Sequence, residues 1–366
     1  MIKILIITDS LAHNGTETFI MNEYRCLDNS KFHVDFLLNK DVNTDYSREV
    51  KRTKSKIFYI PPRKSNPIKY YMTLNNFFSK YKNDYQAIHY CCGSLSSIAP
   101  VYYAFKYQIP VRIIHAHSSS CKGLHNKMLH YSLRGFGNNL ATCHLACSDS
   151  AASFFSLKRK YRVINNGIDV STYSFDEYKR KRIRKILDID SNTIVIGHVG
   201  RFEEVKNHSF LVNIFIEFVK IRPNSKLLLV GQGKLLDEIK RMVSDLGLSD
   251  KVIFLGQRSY VADIMQVMDI FIMPSLFEGL PFVLVEAQAS GLPCIISDVI
   301  DKQVDLTGNI IYGSLVDAPC VWADKIEKVM SYYLRTKTDE KIKKAGFSIQ
   351  ETTRLIENIY CGANSE

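Results

Sequence analysis

Short runs of Val, Ile and Leu alternate with longer amphipathic stretches from one end of the 366-residue chain to the other. Apolar runs bounded by turn residues read as strands buried on both faces, and strands alternating with helical patterns read as βαβ units of a parallel sheet. In the first half this pattern predicts strands at Ile2–Thr8, His33–Leu38, Ile57–Ile60, Ala87–Tyr90, Arg112–Ala116, His144–Ala146 and Arg162–Ile164. Helical patterns fall between them, among them Thr16–Leu27 and Ile68–Tyr81. A second series begins near Asn192, with strands expected at Ile194–Val199, Lys226–Val230, Val252–Leu255, Ile270–Met273, Cys294–Ser297 and Ile310–Tyr312. Its helices are expected at Asn207–Lys220, Lys234–Leu246, Val261–Val267 and Pro281–Ser290. The stretch from Tyr173 to Asp190 holds Lys179, Arg180, Lys181, Arg182, Arg184 and Lys185 and reads as a solvated helix or linker. The expected organisation is therefore α/β: a Rossmann-like domain over 1–172, a second over 190–345, and a C-terminal helix over 346–366 packing back on the first domain. Open parallel sheets bind ligands outside the carboxyl ends of their strands, so two such domains in series imply a cleft between them.

Composition narrows the class without changing this picture. Apolar residues are 46% and charged residues 23%, an ordinary soluble balance. The apolar run Ile4 to Ile7 is stopped at once by Thr8 and Asp9, too short for a signal-peptide core. The expected location is the cytoplasm. The nine cysteines contain no C-x2-C pair, and Cys143 with His144 and Cys147 is the nearest approach to a ligand cluster, so they read as reduced, mostly buried thiols. The net charge of +11 is lopsided: residues 1–170 hold 23 Lys and Arg against 11 Asp and Glu, the rest 25 against 26. A basic first half calls for an anionic partner, whether membrane surface, phosphorylated acceptor or nucleic acid. No cluster of aromatic and basic residues marks an RNA-binding sheet, so nucleic acid is not expected.

The chemistry concentrates in Met273 to Ala287. A strand ends, a Gly-containing loop follows, and Pro281 opens a helix, an arrangement that offers free backbone N–H groups and a positive dipole end to an anion. Gly279 and Leu280 lie in that turn, Glu278 just before it, and Glu286 inside the helix. Carboxylates accept two hydroxyl protons well and suit the vicinal diols of sugars and ribose. Taken alone, Glu278 is equally a helix-start charge and Glu286 a surface residue. The sequence resembles retaining glycosyltransferases of family four, the glycosyl transferases of group 1, whose fold is GT-B: two doubly wound Rossmann-like domains facing across a cleft. The resemblance covers nearly the whole chain and is densest from Ile194 to Ser297. Its signature is a pair of glutamates separated by seven residues, met by Glu278 and Glu286. It implies that Glu278 takes the donor sugar's hydroxyls and Glu286 the ribose diol, with Gly279 and Leu280 at the donor phosphates.

Four further segments fit the same family. Arg201 and Lys206, in Gly200 to His208, can neutralise a diphosphate, and Asn207 can cap the helix that follows. The resemblance implies that the pair stabilises the departing nucleoside diphosphate. The loop after the first strand, Asp9 to Thr18, carries Gly15 where the family usually has two glycines; Asn14 stands at the first, and Asn tolerates positive φ better than most residues. His117 lies just past a first-domain strand, where the family places a histidine facing the donor sugar and acceptor, and His115 is the second candidate. Asn165 to Asp169 matches the family's inter-domain turn, and Arg258, in Gly256 to Ser259, sits where the family's backbone reads the base. Gly231-Gln-Gly-Lys234 lacks the spacing of a phosphate loop, and no G-x-G-x-x-G follows the first strand.

The implied reaction is retaining transfer of a sugar from a nucleoside diphosphate, UDP favoured, with the leaving phosphate helping to take the acceptor proton. No cofactor or metal is expected, because Arg201, Lys206 and the helix terminus supply the positive field. The similarity is to bacterial capsule, exopolysaccharide and O-antigen transferases, implying a polyprenyl-diphosphate-linked glycan as acceptor. The stretch from Lys122 to Arg134 sets Leu124, Met128 and Leu129 among Lys127, His130 and Arg134, as an interfacial helix would, or as an ordinary helix packed on its own domain. The interfacial reading makes the protein peripheral on the inner face of the plasma membrane. The alternatives are a GT-B-shaped nucleotide-sugar epimerase and a non-catalytic subunit that activates a partner.

Overall fold

The computed structural model describes residues 1–12, 14–157, 161–258, 260–278 and 281–362. It divides into two compact units, Met1–Ile168 with Ser348–Glu366, and Asp169–Phe347.

Among the described residues the first unit holds seven strands: β1 (Ile2–Thr8), β2 (Phe32–Leu38), β3 (Ile57–Tyr59), β4 (Ala87–Cys92), β5 (Val111–Ala116), β6 (Cys143–Ala146) and β7 (Arg162–Val163). They form one sheet in the order β3-β2-β1-β4-β5-β6-β7, every pair parallel. The helices between them are α1 (Gly15–Cys26), α2 (Asp45–Lys51), α3 (Pro67–Tyr81), α4 (Ala99–Lys106), α5 (Leu124–Leu140) and α6 (Asp149–Phe155). Alternation along β1 divides the core: Leu5 and Ile7 pack with Tyr70, Leu74 and Phe78 of α3, while Ile4 and Ile6 pack with Phe19 and Ile20 of α1. Local chemistry sets the helix starts. Thr44 and Ser47 form a capping box for α2, and Asn66 accepts from Lys69 N–H just before Pro67 opens α3.

The second unit holds α7 (Val170–Tyr173), α8 (Glu177–Ile186), β8 (Ile194–Val199), α9 (His208–Ile221), β9 (Ser225–Val230), α10 (Leu236–Asp245), β10 (Val252–Gly256), α11 (Val261–Val267), β11 (Ile270–Met273), α12 (Phe282–Ala289), β12 (Cys294–Ser297), β13 (Ile310–Gly313), α13 (Pro319–Tyr332) and α14 (Asp339–Lys344). Its six described strands are parallel, in the order β10-β9-β8-β11-β12-β13. The chain then returns to the first unit as α15 (Ile349–Tyr360), starting where Ile349 N–H donates to Ile168 O at 3.0 Å. Ile356, Ile359 and Tyr360 join the core on the α1 side of the first sheet.

The basic run expected to be solvated is helical, but half of it is docked. Arg184 is buried and donates to Val267 O, Asp190 O and Thr193 O, and both it and Arg180 bond Asp269. Asp269 also accepts from Val195 N–H at 2.8 Å, so one carboxylate ties α8 to the start of β8. Lys181 stays outward with Glu177. Periodicity alone could not show this, because a guanidinium finds buried carbonyls only where a loop end brings them. The thiols also differ from expectation: Cys91, Cys92 and Cys294 are buried, but Cys320 and Cys361 are exposed.

Asp269→Ala removes the carboxylate shared by two guanidinium groups and the Val195 amide, leaving the guanidinium groups only their carbonyl acceptors. It is expected to cost about 3–5 kcal/mol, read as a lower urea midpoint with unchanged slope.

Candidate active site

At the carboxyl edge of the second sheet, the loops after β8 and β11 are joined. Leu276 N–H donates to Val205 O at 2.8 Å, and Lys206 Nζ donates to Glu278 Oε1 at 2.6 Å. Both side chains of that ion pair are mostly buried, 16% and 15% exposed. The β8 loop is held from its other side by the turn after β9, where Phe202 N–H donates to Gln232 O and Leu235 N–H to Phe202 O. Gly231 and Gly233 permit that approach: a Cβ would stand 2.0 Å from Gly200 O and 2.5 Å from Phe202 O respectively. The Gly231-Gln-Gly segment thus buttresses the loop that carries Arg201 and Lys206.

Burial decides the charges around this pair. His198 and His208 lie behind Lys206, His208 stacked on Phe202 at 4.1 Å between ring centres. Burial, then the charge of Lys206, lowers the His208 pKa to about 4; burial with neighbouring His208 holds His198 well below its usual value. Both rings stay neutral, so Lys206 is the cation there. Glu286 is buried on α12, not at the surface, and its carboxylate accepts from Tyr173 Oη at 2.5 Å. Burial raises its pKa to about 7, opposed by the Tyr173 hydrogen bond.

The other expected residues are less constrained. Arg201 is open to solvent, with Glu203 Oε1 3.0 Å away. Arg258 is exposed beyond β10, donating to its neighbour Gln257 O. Gly279 and Leu280 lie outside the described residues, as do His13 and Ser259. Pro281 is the N-cap of α12, one residue earlier than its expected place at the first helical position. Asn207 sits at the N-cap of α9 in the left-handed region, φ 55°, and its side chain does not cap: that backbone turns the amide away from the first helical N–H groups.

In the first unit, Asn14 is extended, φ −120°, and caps α1 by position, so no positive φ is required of it. Gly15 begins α1, and among the described residues nothing lies within 4 Å of where a Cβ would stand. Burial raises the Glu17 pKa in the first turn of that helix. His117 follows β5, its N–H bonded to Cys92 O, and neither ring nitrogen has a partner among the described residues. Burial, then His89, lowers its pKa to about 3. His115 is buried beside it, ring centres 4.0 Å apart. His89 and Cys91 of β4 share this neighbourhood, with ligand-type atoms within 4.8 Å of one another and of His115. The sequence signal for them was the β4–β5 register, Cys91 opposite His115, which requires the strand order first. Tyr173 and His198 were likewise not singled out from sequence, and the two turn glycines stand out there only as a phosphate-loop lookalike that lacks the spacing.

Comparison with known proteins gives the family. Residues 13–172 match the family described as Glycosyltransferase Family 4, and residues 179–348 the family described as Glycosyl transferases group 1. Over 98% of its length the chain is 32% identical to the putative glycosyltransferase EpsF of Bacillus subtilis, covering 96% of that protein. Over 95% of its length it is 26% identical to the UDP-Gal:alpha-D-GlcNAc-diphosphoundecaprenol alpha-1,3-galactosyltransferase of Escherichia coli, covering 93% of that protein. Among solved structures, HepE of Anabaena in complex with UDP has a TM-score of 0.76 over 99% of this chain and 100% of that one; at 18% identity this likeness speaks to fold. The chain, with its two parallel Rossmann-like halves, belongs to the glycosyltransferases of group 1 and family 4, of GT-B architecture.

Proposed function

We propose that the protein transfers a sugar from a UDP-sugar to a hydroxyl of a lipid-linked oligosaccharide, with retention, in surface polysaccharide synthesis. The observation that carries this reading is the Lys206–Glu278 pair at the strand ends of the second unit. An ammonium has three donors, so Lys206 can hold Glu278 and a phosphate oxygen together. Exposed Arg201 supplies the second charge, as a planar fork. Glu278, fixed by Lys206, accepts from the donor sugar's hydroxyls, and Glu286 from the ribose diol. In the proposed step the bond from anomeric carbon to diphosphate oxygen breaks, and the acceptor oxygen bonds that carbon on the same face. The acceptor proton passes to the leaving diphosphate, whose charge Lys206, Arg201 and the amino end of α12 stabilise. No protein nucleophile is used, and these cations supply the field a metal would otherwise supply. A UDP donor and a diphosphoundecaprenol-linked acceptor are supported by the Escherichia coli relative's name and by UDP in HepE.

The acceptor reading extends to the membrane. Between Glu49 and Asp149 the chain carries fourteen Lys and Arg and a single carboxylate, Asp84. Neighbouring helices α3, α4 and α5 expose Met72, Phe105, Leu124, Met128 and Tyr131 from that same segment. Lys69, Lys122 and Lys127 stand exposed among them. Arg134 is partly engaged inward, donating to Phe154 O at 2.8 Å. Such a face suits reversible attachment to an anionic leaflet. Among the described residues no helix is long and apolar enough to cross a membrane.

Lys206→Ala or Arg201→Ala is expected to cost about 2–4 kcal/mol of transition-state stabilisation, measured as kcat/KM; unchanged turnover removes the diphosphate assignment. A new glycoside among the products separates transfer from epimerisation.

The two glutamates fail differently. Glu278→Gln spares UDP affinity and depresses transfer, while Glu286→Gln weakens UDP itself. Because the Glu286 pKa is about 7, UDP affinity rises from pH 6 to pH 8 in the wild type, and calorimetry finds a smaller step in Glu286→Gln, where the terminal phosphate of UDP still titrates. Stability runs the other way. The folded carboxyl keeps a proton that the unfolded chain releases above its ordinary 4.5, so this group's contribution falls as pH rises from about 4.5 to about 7. Equal loss of UDP affinity in both variants refutes the division of roles.

Liposome co-sedimentation is expected to require anionic lipid and to fall sharply between low and moderate salt. Lys69, Lys122 and Lys127 replaced together by Gln weaken it without changing UDP affinity. Binding to neutral vesicles that ignores salt, or no binding to either, overturns the charged face.

A further inference from the structure

A chain of buried polar groups runs through the first unit from the C-terminal helix to the end of β5. Tyr360, the last residue of α15, donates from Oη to Glu23 Oε1 on α1 at 2.7 Å. The same Oη lies 2.6 Å from His89 Nδ1 on β4, and His89 Nε2 lies 3.0 Å from His115 Nδ1 on β5. Glu23, His89 and His115 are fully buried and Tyr360 nearly so. The chain stops at His115 Nε2, which has no partner among the described residues, beside His117, whose two ring nitrogens have none.

Burial raises the Glu23 pKa to about 7, opposed by the Tyr360 hydrogen bond, so the order of the protons turns on this carboxyl. An ionised Glu23 only accepts; Tyr360 then gives it the single phenol proton, and Tyr360 Oη accepts from His89 Nδ1–H. Burial keeps both imidazoles neutral, so His89 Nε2 carries a lone pair and His115 Nδ1 carries the proton between them. The His89 and His115 ring planes differ by 6° and their centres are 5.2 Å apart. That separation is close to the N···N distance plus the two ring radii, so the rings lie edge to edge with the N–H pointing along the line between them. Two imidazoles sharing a metal ion with Cys91 would instead aim their lone pairs at a third point about 2.0–2.1 Å from each nitrogen. The in-line bond occupies the space such an ion needs. The last link follows: His115, protonated at Nδ1, must present an unprotonated Nε2.

We propose that Tyr360, backed by Glu23, is a positioning residue for the transfer reaction: through His89 it fixes His115 in the Nδ1–H tautomer and so presents a hydrogen-bond-accepting Nε2 to His117. In the structure the His115 and His117 rings pack at 4.0 Å and 35° with no hydrogen bond between them. A turn of the neutral His117 ring that puts one N–H onto that nitrogen leaves its other nitrogen to accept from a substrate hydroxyl. The relay thus selects which end of His117 donates and which accepts, as a buried carboxylate selects the tautomer of a catalytic histidine. The functional half of this inference rests on the transferase reading above and on His117 meeting substrate; the tautomer half does not.

The test uses the full chain labelled with ¹⁵N-histidine and long-range ¹H–¹⁵N spectra, which report the tautomer of each ring. In the wild type at pH 8, where Glu23 is ionised, His89 and His115 are expected neutral with the proton on Nδ1. Tyr360→Phe removes the acceptor for His89 Nδ1–H, so both rings shift toward a tautomer mixture. Transfer is then expected to lose about tenfold in kcat, the scale of one hydrogen bond, with KM for the UDP-sugar unchanged. A merely structural role for Tyr360 lowers the unfolding temperature without moving the tautomers. Wild-type His115 found protonated at Nε2, or as imidazolium, overturns the relay even if the variant does not fold. Unchanged tautomers, or shifted tautomers with unchanged kcat, overturn the positioning role. A chain that transfers no sugar at all counts against the transferase reading, while the wild-type spectra still decide the relay.

Discussion

Parallel strands deliver every loop that leaves a carboxyl end to the same edge of their sheet, and the chemistry of this protein depends on that constraint. In the second unit β8 and β11 are neighbours, so the loops that follow them must meet. Lys206 and Glu278 are brought together there, as are Val205 O and Leu276 N–H. In the first unit β4 and β5 are neighbours, and the same rule puts His89, Cys91 and His115 side by side with His117 just beyond. The sheets create the sites; the helices seal them from water.

Sealing matters because it sets which groups are charged. Around Lys206 two histidines are kept neutral by burial, so positive charge is concentrated on the ammonium. Glu286 is pushed the other way, toward about 7, and depends on Tyr173 for its hydrogen bond. A group poised near neutrality can change its proton inventory when a ligand arrives, which a fully solvated carboxylate at pH 7 cannot do. The exposed Arg201 escapes this control and pairs only with the neighbouring carboxylate of Glu203 among the described residues.

The C-terminal helix extends the same logic. Its Tyr360 lies 271 residues from His89 in sequence yet closes a buried hydrogen-bond chain with it. Unpaired polar groups in such an interior are costly, so a network of this kind holds one proton arrangement and resists the others. Here that arrangement reaches the histidines at the end of β5.

Much of this was legible in the sequence. Hydrophobic periodicity is a local signal, and each expected strand lies within one residue of the observed bounds at its start and two at its end, from Ile2–Thr8 to Ile310–Gly313. The candidate segment was also local, because Glu278, Pro281 and Glu286 follow one another along a single strand–loop–helix stretch. What sequence could not show were encounters between distant segments: Lys206 with Glu278, 72 residues on; Tyr173 with Glu286, 113 residues on; and Arg184 with the carbonyl of Val267. Nor could it show that Glu286 is buried, that Asn207 is left-handed, or that half of the basic run on α8 is docked rather than solvated. Period and turn chemistry act within a few residues and so decide which segments are strands and helices. Strand order, and the burial that follows from it, exists only once those segments pack, and it decides which side chains meet and which of them keep their charge.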